Sequence, residues 1–275
     1  MMPYLVAHSD ERIRRFAAAE ISTHDSSVTL ESAVQQLADP RVDGAAEIKR
    51  ITKAIRRSRL AEVVNRAFTE RQATLLPWAI DQVEVIVELE DVRDALLEIQ
   101  RQHHLPEAVQ IALVQLAQRS DFGSSEWLTE QMSDVSSAVQ SEAIAAFYHR
   151  NLGPLSEVVI DGLVRCSDSS VRAAVVPIVG RQQIDSQLEQ LAHDSNRCVR
   201  LAVAGAIRTR TDSVAVKIRR KLQSDSHPFV RAESLDEAAA KTILENPDQE
   251  FSWHVLKAAC RILKRPYWDL SLIHI

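Results

Sequence analysis

The chain is poor in the residues that most often build sheets or carry chemistry. Of 275 residues, 5% are aromatic, six are glycine and three are cysteine. Alanine and leucine dominate instead, which suits closely packed helices and argues against a sheet. No GxGxxG or Walker loop occurs, and no GxSxG elbow presents a serine nucleophile. Cys166, Cys198 and Cys260 stand far apart and form no CxxC pair, so there is no zinc signature and a reducing compartment is expected.

Long apolar runs are missing too. AAVVPIV from Ala173 and LAVAGAI from Leu201 fall far below membrane-spanning length. The opening MMPYLVAHSDERIRR has too short an apolar stretch for a signal peptide. Basic excess is absent: 33 Lys and Arg face 38 Asp and Glu, a net charge of −5. That balance weighs against a chain dedicated to nucleic acid. With 45% hydrophobic and 26% charged residues, the composition is that of an ordinary soluble protein, and a cytoplasmic location is expected.

What is abundant is a repeated phrase. VRLAVAGAI starts at Val199, five residues after Asp194, and IRRFAAAEI starts at Ile13, three after Asp10. Val171-Arg172 follows Asp168, Val230-Arg231 follows Asp225, and Val139-Gln140 follows Asp134. Taking the first apolar residue as an anchor gives Ile13, Val42, Leu76, Val109, Val139, Val171, Val199 and Val230, at intervals of 28 to 34 residues. Two short helices and two turns fit that length. Within the phrase, Val199, Ala202, Val203, Ala206 and Ile207 share one face of a helix.

Punctuation falls where such units need it. Asn151 to Pro154, Gly180 to Asp185 and Thr209 to Ser213 mark turns inside a repeat. Pro40, Pro106, Pro228 and Pro247 fall between repeats, while Pro177 lies inside an anchor helix and is expected to kink it.

An aspartate, a short turn, Val-Arg and then alanines resemble the HEAT repeat, particularly the short bacterial form also seen in phycobilisome-lyase-like proteins. The match is strong over Asp194 to Ile207 and Ser9 to Ile21, and weakest between residues 40 and 100. The resemblance implies an all-α fold: a right-handed α-solenoid of about eight helical hairpins, here one array over residues 1–269. The last six residues, LSLIHI, resemble translated read-through of a sequencing adapter. Residues 270–275 are therefore read as a non-native tail, with the native chain continuing beyond Asp269, where a catalytic domain could follow.

Asp10, Asp134, Asp168, Asp194 and Asp225, with Arg14, Arg172, Arg200 and Arg231, are read as a structural ladder and not as a catalytic array. Each Asp is placed to cap a helix and each Arg to reach the Asp of an adjacent repeat. Treated as exposed pairs, they are expected to contribute only about 0–1 kcal/mol each.

Lys49, Lys53, Arg56 and Arg57, and the second cluster Lys217, Arg219, Arg220 and Lys221, are candidate partner-binding residues for an anionic surface. Their plain alternative is a solvated face. Asp81, Glu84, Glu88, Glu90, Asp91, Asp94 and Glu98 surround a single Arg93 and form an acidic stripe. His103, His104, His193 and His227 show no metal-ligand spacing, and Cys166 and Cys198 are read as small buried packing residues.

No catalytic, cofactor or metal residues are assigned. The function expected is a non-enzymatic scaffold holding a protein or peptide on its concave face, built mainly from the second helices. A DNA-binding or DNA-repair HEAT-like protein and a bilin lyase-like chaperone are the alternatives, the first weakened by the acidic total and the lack of aromatic residues among the basic ones.

Overall fold

In the computed structural model the described residues are 57–71, 76–102, 104–134, 136–247, 250 and 252–264. Asp10, Arg14, Lys49, Lys53, Arg56, His103 and the 270–275 tail lie outside them, and Arg57 opens the first described helix. Among the described residues the protein is all-helical, with fourteen helices and no strand. The chain divides into two compact units, residues 1–123 and 124–275.

In the first unit, α1 (Arg57–Glu70), α2 (Leu76–Asp81), α3 (Leu89–Gln100) and α4 (Glu107–Arg119) are described. Helix α1 packs on α2 and α3, and α2 packs on α4. Leu76, Ile80, Leu96, Ile99, Val109 and Leu113 are buried there. A tight turn joins α2 to α3, with Glu84 at φ 68° and Val83 paired to Val87. The acidic stripe has more cations than Arg93. Arg93 binds Glu90 and Asp121, Arg119 lies 3.6 Å from Asp81, and Arg71 pairs with Glu98.

The second unit runs through α5 (Ser125–Gln131), α6 (Ser137–His149), α7 (Glu157–Val164), α8 (Ser169–Gln182), α9 (Asp185–Leu191), α10 (Arg197–Ile207) and α11 (Ser213–Gln223), with short and long helices alternating as far as α10. Then follow α12 (Pro228–Glu233), α13 (Glu237–Glu245) and α14 (Trp253–Ile262). Anchor helices contact in series, α6 on α8, α8 on α10, α10 on α12 and α12 on α14. The second helices α7, α9 and α11 each contact the anchor helix that comes next, and α9 and α11 also contact the one they follow.

The anchors are the core. Val109, Val139, Val171, Val199 and Val230 are all fully buried, as is Val255, a further anchor 25 residues after Val230. Each such valine contributes roughly 1.5–3 kcal/mol by leaving water. Helices α8 and α10 approach so closely that a Cβ added at Gly180 would lie 3.2 Å from the Ala206 Cβ.

The turn signals fall where they are expected. Asn151 (φ 53°) and Gly153 (φ 95°) lie between α6 and α7, and Gln183 (φ 57°) ends α8. Residues 208–212 separate α10 from α11. Pro106 precedes α4 and Pro228 is its helix's first residue, where the missing N–H costs little. Helix α8 is one helix from Ser169 to Gln182, with Pro177 inside it.

Candidate functional site

The repeated Asp and Arg form interlocking rungs. Arg172 donates from Nε and Nη2 to both carboxylate oxygens of Asp194, at 2.7 and 2.9 Å. Arg200 binds Asp225 in the same way, and Arg231 binds Glu250 at 3.0 and 2.7 Å. The third nitrogen, Nη1, turns back onto its own repeat. It donates to the carbonyls of Cys166 and Ser167 from Arg172, of Asp194 and Ser195 from Arg200, and of Asp225 and Ser226 from Arg231. Each acid also accepts a backbone N–H two residues on: Asn196 for Asp194, His227 for Asp225 and Ser252 for Glu250. One rung thus ties a loop, a helix start and the next repeat together.

These pairs are not the exposed ones expected from sequence. The Asp225 side chain is 7% exposed and Arg200 14%. Surface-pair energetics therefore do not apply, and removing one partner leaves a charge stranded in a poorly solvated seam. Arg172 holds the Asp194 carboxyl below its ordinary range and its own guanidinium is raised in turn. Burial pushes Asp225 and Glu250 upward, but the arginine and backbone donors together outweigh it, so both end lowered.

The structure sorts the ladder by position. Rung acids stand five residues before the anchor valine, and the arginine stands directly after it. Asp168 stands three before, where Ser136, Asp168, Asn196 and His227 cap the N-termini of α6, α8, α10 and α12. Asp168 accepts from the Ser170 N–H and hydroxyl, both at 2.7 Å, and its carboxyl is lowered chiefly by the serine hydroxyls. It is a cap and not a rung.

At the rung position of that repeat stands Cys166, and the residue facing it from the preceding repeat is Gln140. Gln140 Nε2 donates to the Asp134 carbonyl at 2.6 Å, as the arginines do to theirs, and its Oε1 lies 3.8 Å from the Cys166 Sγ. This rung is neutral on both sides. Cys166 is half-buried and Cys198 is exposed, so only Cys260 among the cysteines is a buried packing residue.

The second basic cluster divides on helix α11. Arg219 turns inward, its Nη2 donating to the carbonyls of Ile207, Arg208 and Arg210 where α10 ends. It closes a helix C-terminus and is not a free binding residue. Lys217 is exposed and pairs with Glu189 at 2.9 Å, while Arg220 and Lys221 are exposed. Nearby Arg210 bridges Asp185 and Asp212, and holds the Asp212 carboxyl down to about 2.

Two grooves open on the second unit. One, of about 370 Å³, runs between the second helices α5 and α7, with Ser125, Glu126 and Thr129 on one side and Phe147, Pro154 and Val159 on the other. Val158, next to it on α7, is 82% exposed. The other, of about 310 Å³, crosses the anchor helices α10, α12 and α14. Sequence periodicity alone pointed to neither, because each groove combines core residues, such as Phe147 and Ala258, with residues that face out of the repeat.

Among the described residues, no three His, Cys, Asp or Glu side chains gather at a point that could hold a metal ion. None of the described helices is long and apolar enough to cross a membrane. No protein-family model matches the chain, and no curated protein matches it. Among solved structures it is similar to a protein titled as an engineered protein, at 17% identity and a TM-score of 0.34, over 95% of this chain and 76% of that one. A likeness at that level bears on neither fold nor function.

Proposed function

We propose that this chain is a non-enzymatic scaffold, a right-handed α-solenoid of HEAT-like hairpins that holds a protein or peptide on the face of its second helices. The observation that carries this reading is the groove of about 370 Å³ between α5 and α7. It combines an apolar wall, Phe147, Pro154 and Val159, with hydroxyl and carboxylate groups of Ser125, Thr129 and Glu126. A cleft of that size and mixture accepts an extended chain or a side-chain anchor. The repeat phrase and the rungs support the solenoid part, since they give each hairpin the same docking on the next.

The test is affinity capture with the whole chain and with a variant carrying Thr129→Arg and Val158→Asp. A protein retained by the parent and lost by the variant supports the reading. Retention of nucleic acid alone, or of the same proteins by both, would sink it.

A further inference from the structure

The register of the repeat makes one surface on the second unit anomalous. Residues directly before the anchor valine, and two after it, lie along the outer edge of the anchor helices. In α6 and α8 these are Ala138, Ser141, Ser170 and Ala173, and the Ser141 and Ser170 hydroxyls bond to each other across the seam at 3.2 Å. From α10 onward the same register carries Cys198 and Leu201, then Phe229 and Ala232, then His254 and Lys257. Four of these six, Leu201, Phe229, His254 and Lys257, are large where α6 and α8 carry only alanine and serine.

Those larger side chains remain open to solvent. Phe229 is 47% and Leu201 37% exposed, and together with Ala232 and Ala258 they floor the groove of about 310 Å³. The His254 ring leans on Phe229, with centroids 4.4 Å apart. Lys257 and Arg261, four residues apart on α14, form the cationic wall. Helix α14 has no carboxylate anywhere in its length. The groove also holds one acid, Glu233, which pairs with Arg208 at 3.2 Å.

We infer that this groove is a docking site for an acidic peptide segment of a partner protein, a segment bearing one large apolar side chain. Leu201 and Phe229 receive the apolar side chain, and Lys257 and Arg261 meet the carboxylates. The short cationic row, Lys257 and Arg261 on one helix, disfavours a nucleic-acid strand, whose phosphates call for a longer track of cations. The inference rests on the scaffold reading but uses a different face from the α5–α7 groove.

The test pans a random dodecapeptide phage library against the whole chain and measures the selected peptides by fluorescence anisotropy. Expected are peptides rich in Asp and Glu with one Trp, Phe or Leu, binding more weakly as salt rises. Phe229→Ala should weaken them about tenfold, and Lys257→Gln with Arg261→Gln by at least as much. A melting curve close to the parent's shows that these exposed substitutions leave the fold intact. Neutral or basic selected peptides, affinities indifferent to these substitutions, competition by duplex DNA alone, or no selection at all would overturn the inference. Peptides lost only on Thr129→Arg with Val158→Asp would overturn it while leaving the scaffold reading standing.

Discussion

Arg200 grips Asp225 through two parallel N–H···O bonds, at 2.6 and 2.9 Å, while its third nitrogen holds the carbonyls of Asp194 and Ser195. A bidentate pair with this little solvent access is worth far more broken than made. Removing one partner strands the other charge, at a cost of roughly 3–5 kcal/mol. Asp225→Ala should therefore lower the urea midpoint sharply. Exchanging Arg200 and Asp225 together for Met and Leu should cost much less. Equal losses for the single and the double change would refute this account of the rung.

Gln140 and Cys166 occupy the same two positions without charge. Converting them to the pattern of their neighbours, with Gln140→Arg and Cys166→Asp, should install the missing ionic rung. Each single change places a lone charge in the seam and should destabilise. The double variant should recover, with a favourable coupling of about 1–3 kcal/mol in a denaturation cycle. Strict additivity would mean that the seam between α6 and α8 is shaped differently from the seams that follow.

The rung acids give the protein a pH limit. Asp194, Asp225 and Glu250 are lowered in the folded state from ordinary values of 3.8 for Asp and 4.5 for Glu. The unfolded chain therefore binds protons first as pH falls. The stability these groups supply is complete above about pH 4.5 and drains away through and below their ordinary range. Urea midpoints taken from pH 6 down to pH 3 should fall, and should fall less steeply once Arg172 and Arg231 are both changed to Gln. Parallel slopes for the two proteins would place the acid sensitivity elsewhere.

Arg219 and Lys221 sit two residues apart on α11 and should behave oppositely. Arg219→Ala frees three carbonyls at the end of α10 and should cost about 1.5–3 kcal/mol. Lys221→Ala, at an exposed position, should stay within about 0.5 kcal/mol of the parent. Chemical denaturation of the two variants decides the matter.

Gly180 faces Ala206 where α8 meets α10. Gly180→Val adds bulk where even a Cβ would be 3.2 Å from its neighbour, and should cost about 1–3 kcal/mol. In an Ala206→Gly background the same substitution should cost less. An unchanged cost would show that the helices separate freely there.

The repeat was legible because its strongest signals are steric and periodic. A buried valine every 28 to 32 residues from Val109 to Val230, with alanines around it, needs no tertiary information to be noticed. Other features were hidden for identifiable reasons. Glu250 escaped notice because a longer acid replaces Asp and the interval to Val255 shrinks to 25 residues. Asp168 resembled a rung because a cap and a rung differ by two residues in an otherwise identical phrase. Arg219 resembled a solvated cation because the carbonyls that claim it belong to the preceding helix. The groove over α10, α12 and α14 was invisible because its apolar floor uses outward positions, which periodicity assigns to solvent.

The rungs also have a direction. In every charged case the arginine belongs to the earlier hairpin and the carboxylate to the later one, so each module has a donor end and an acceptor end. Such modules join like tongue and groove. A duplicated copy of the α10–α11 hairpin would arrive with its own carboxylate for the hairpin before it and its own arginine for the one after. The array could lengthen by whole units with no compensating change. The module that opens with Cys166 could not be copied into the same place, because the arginine ahead of it would then face a thiol. The grammar of growth is thus open toward the carboxyl side and closed at one marked joint.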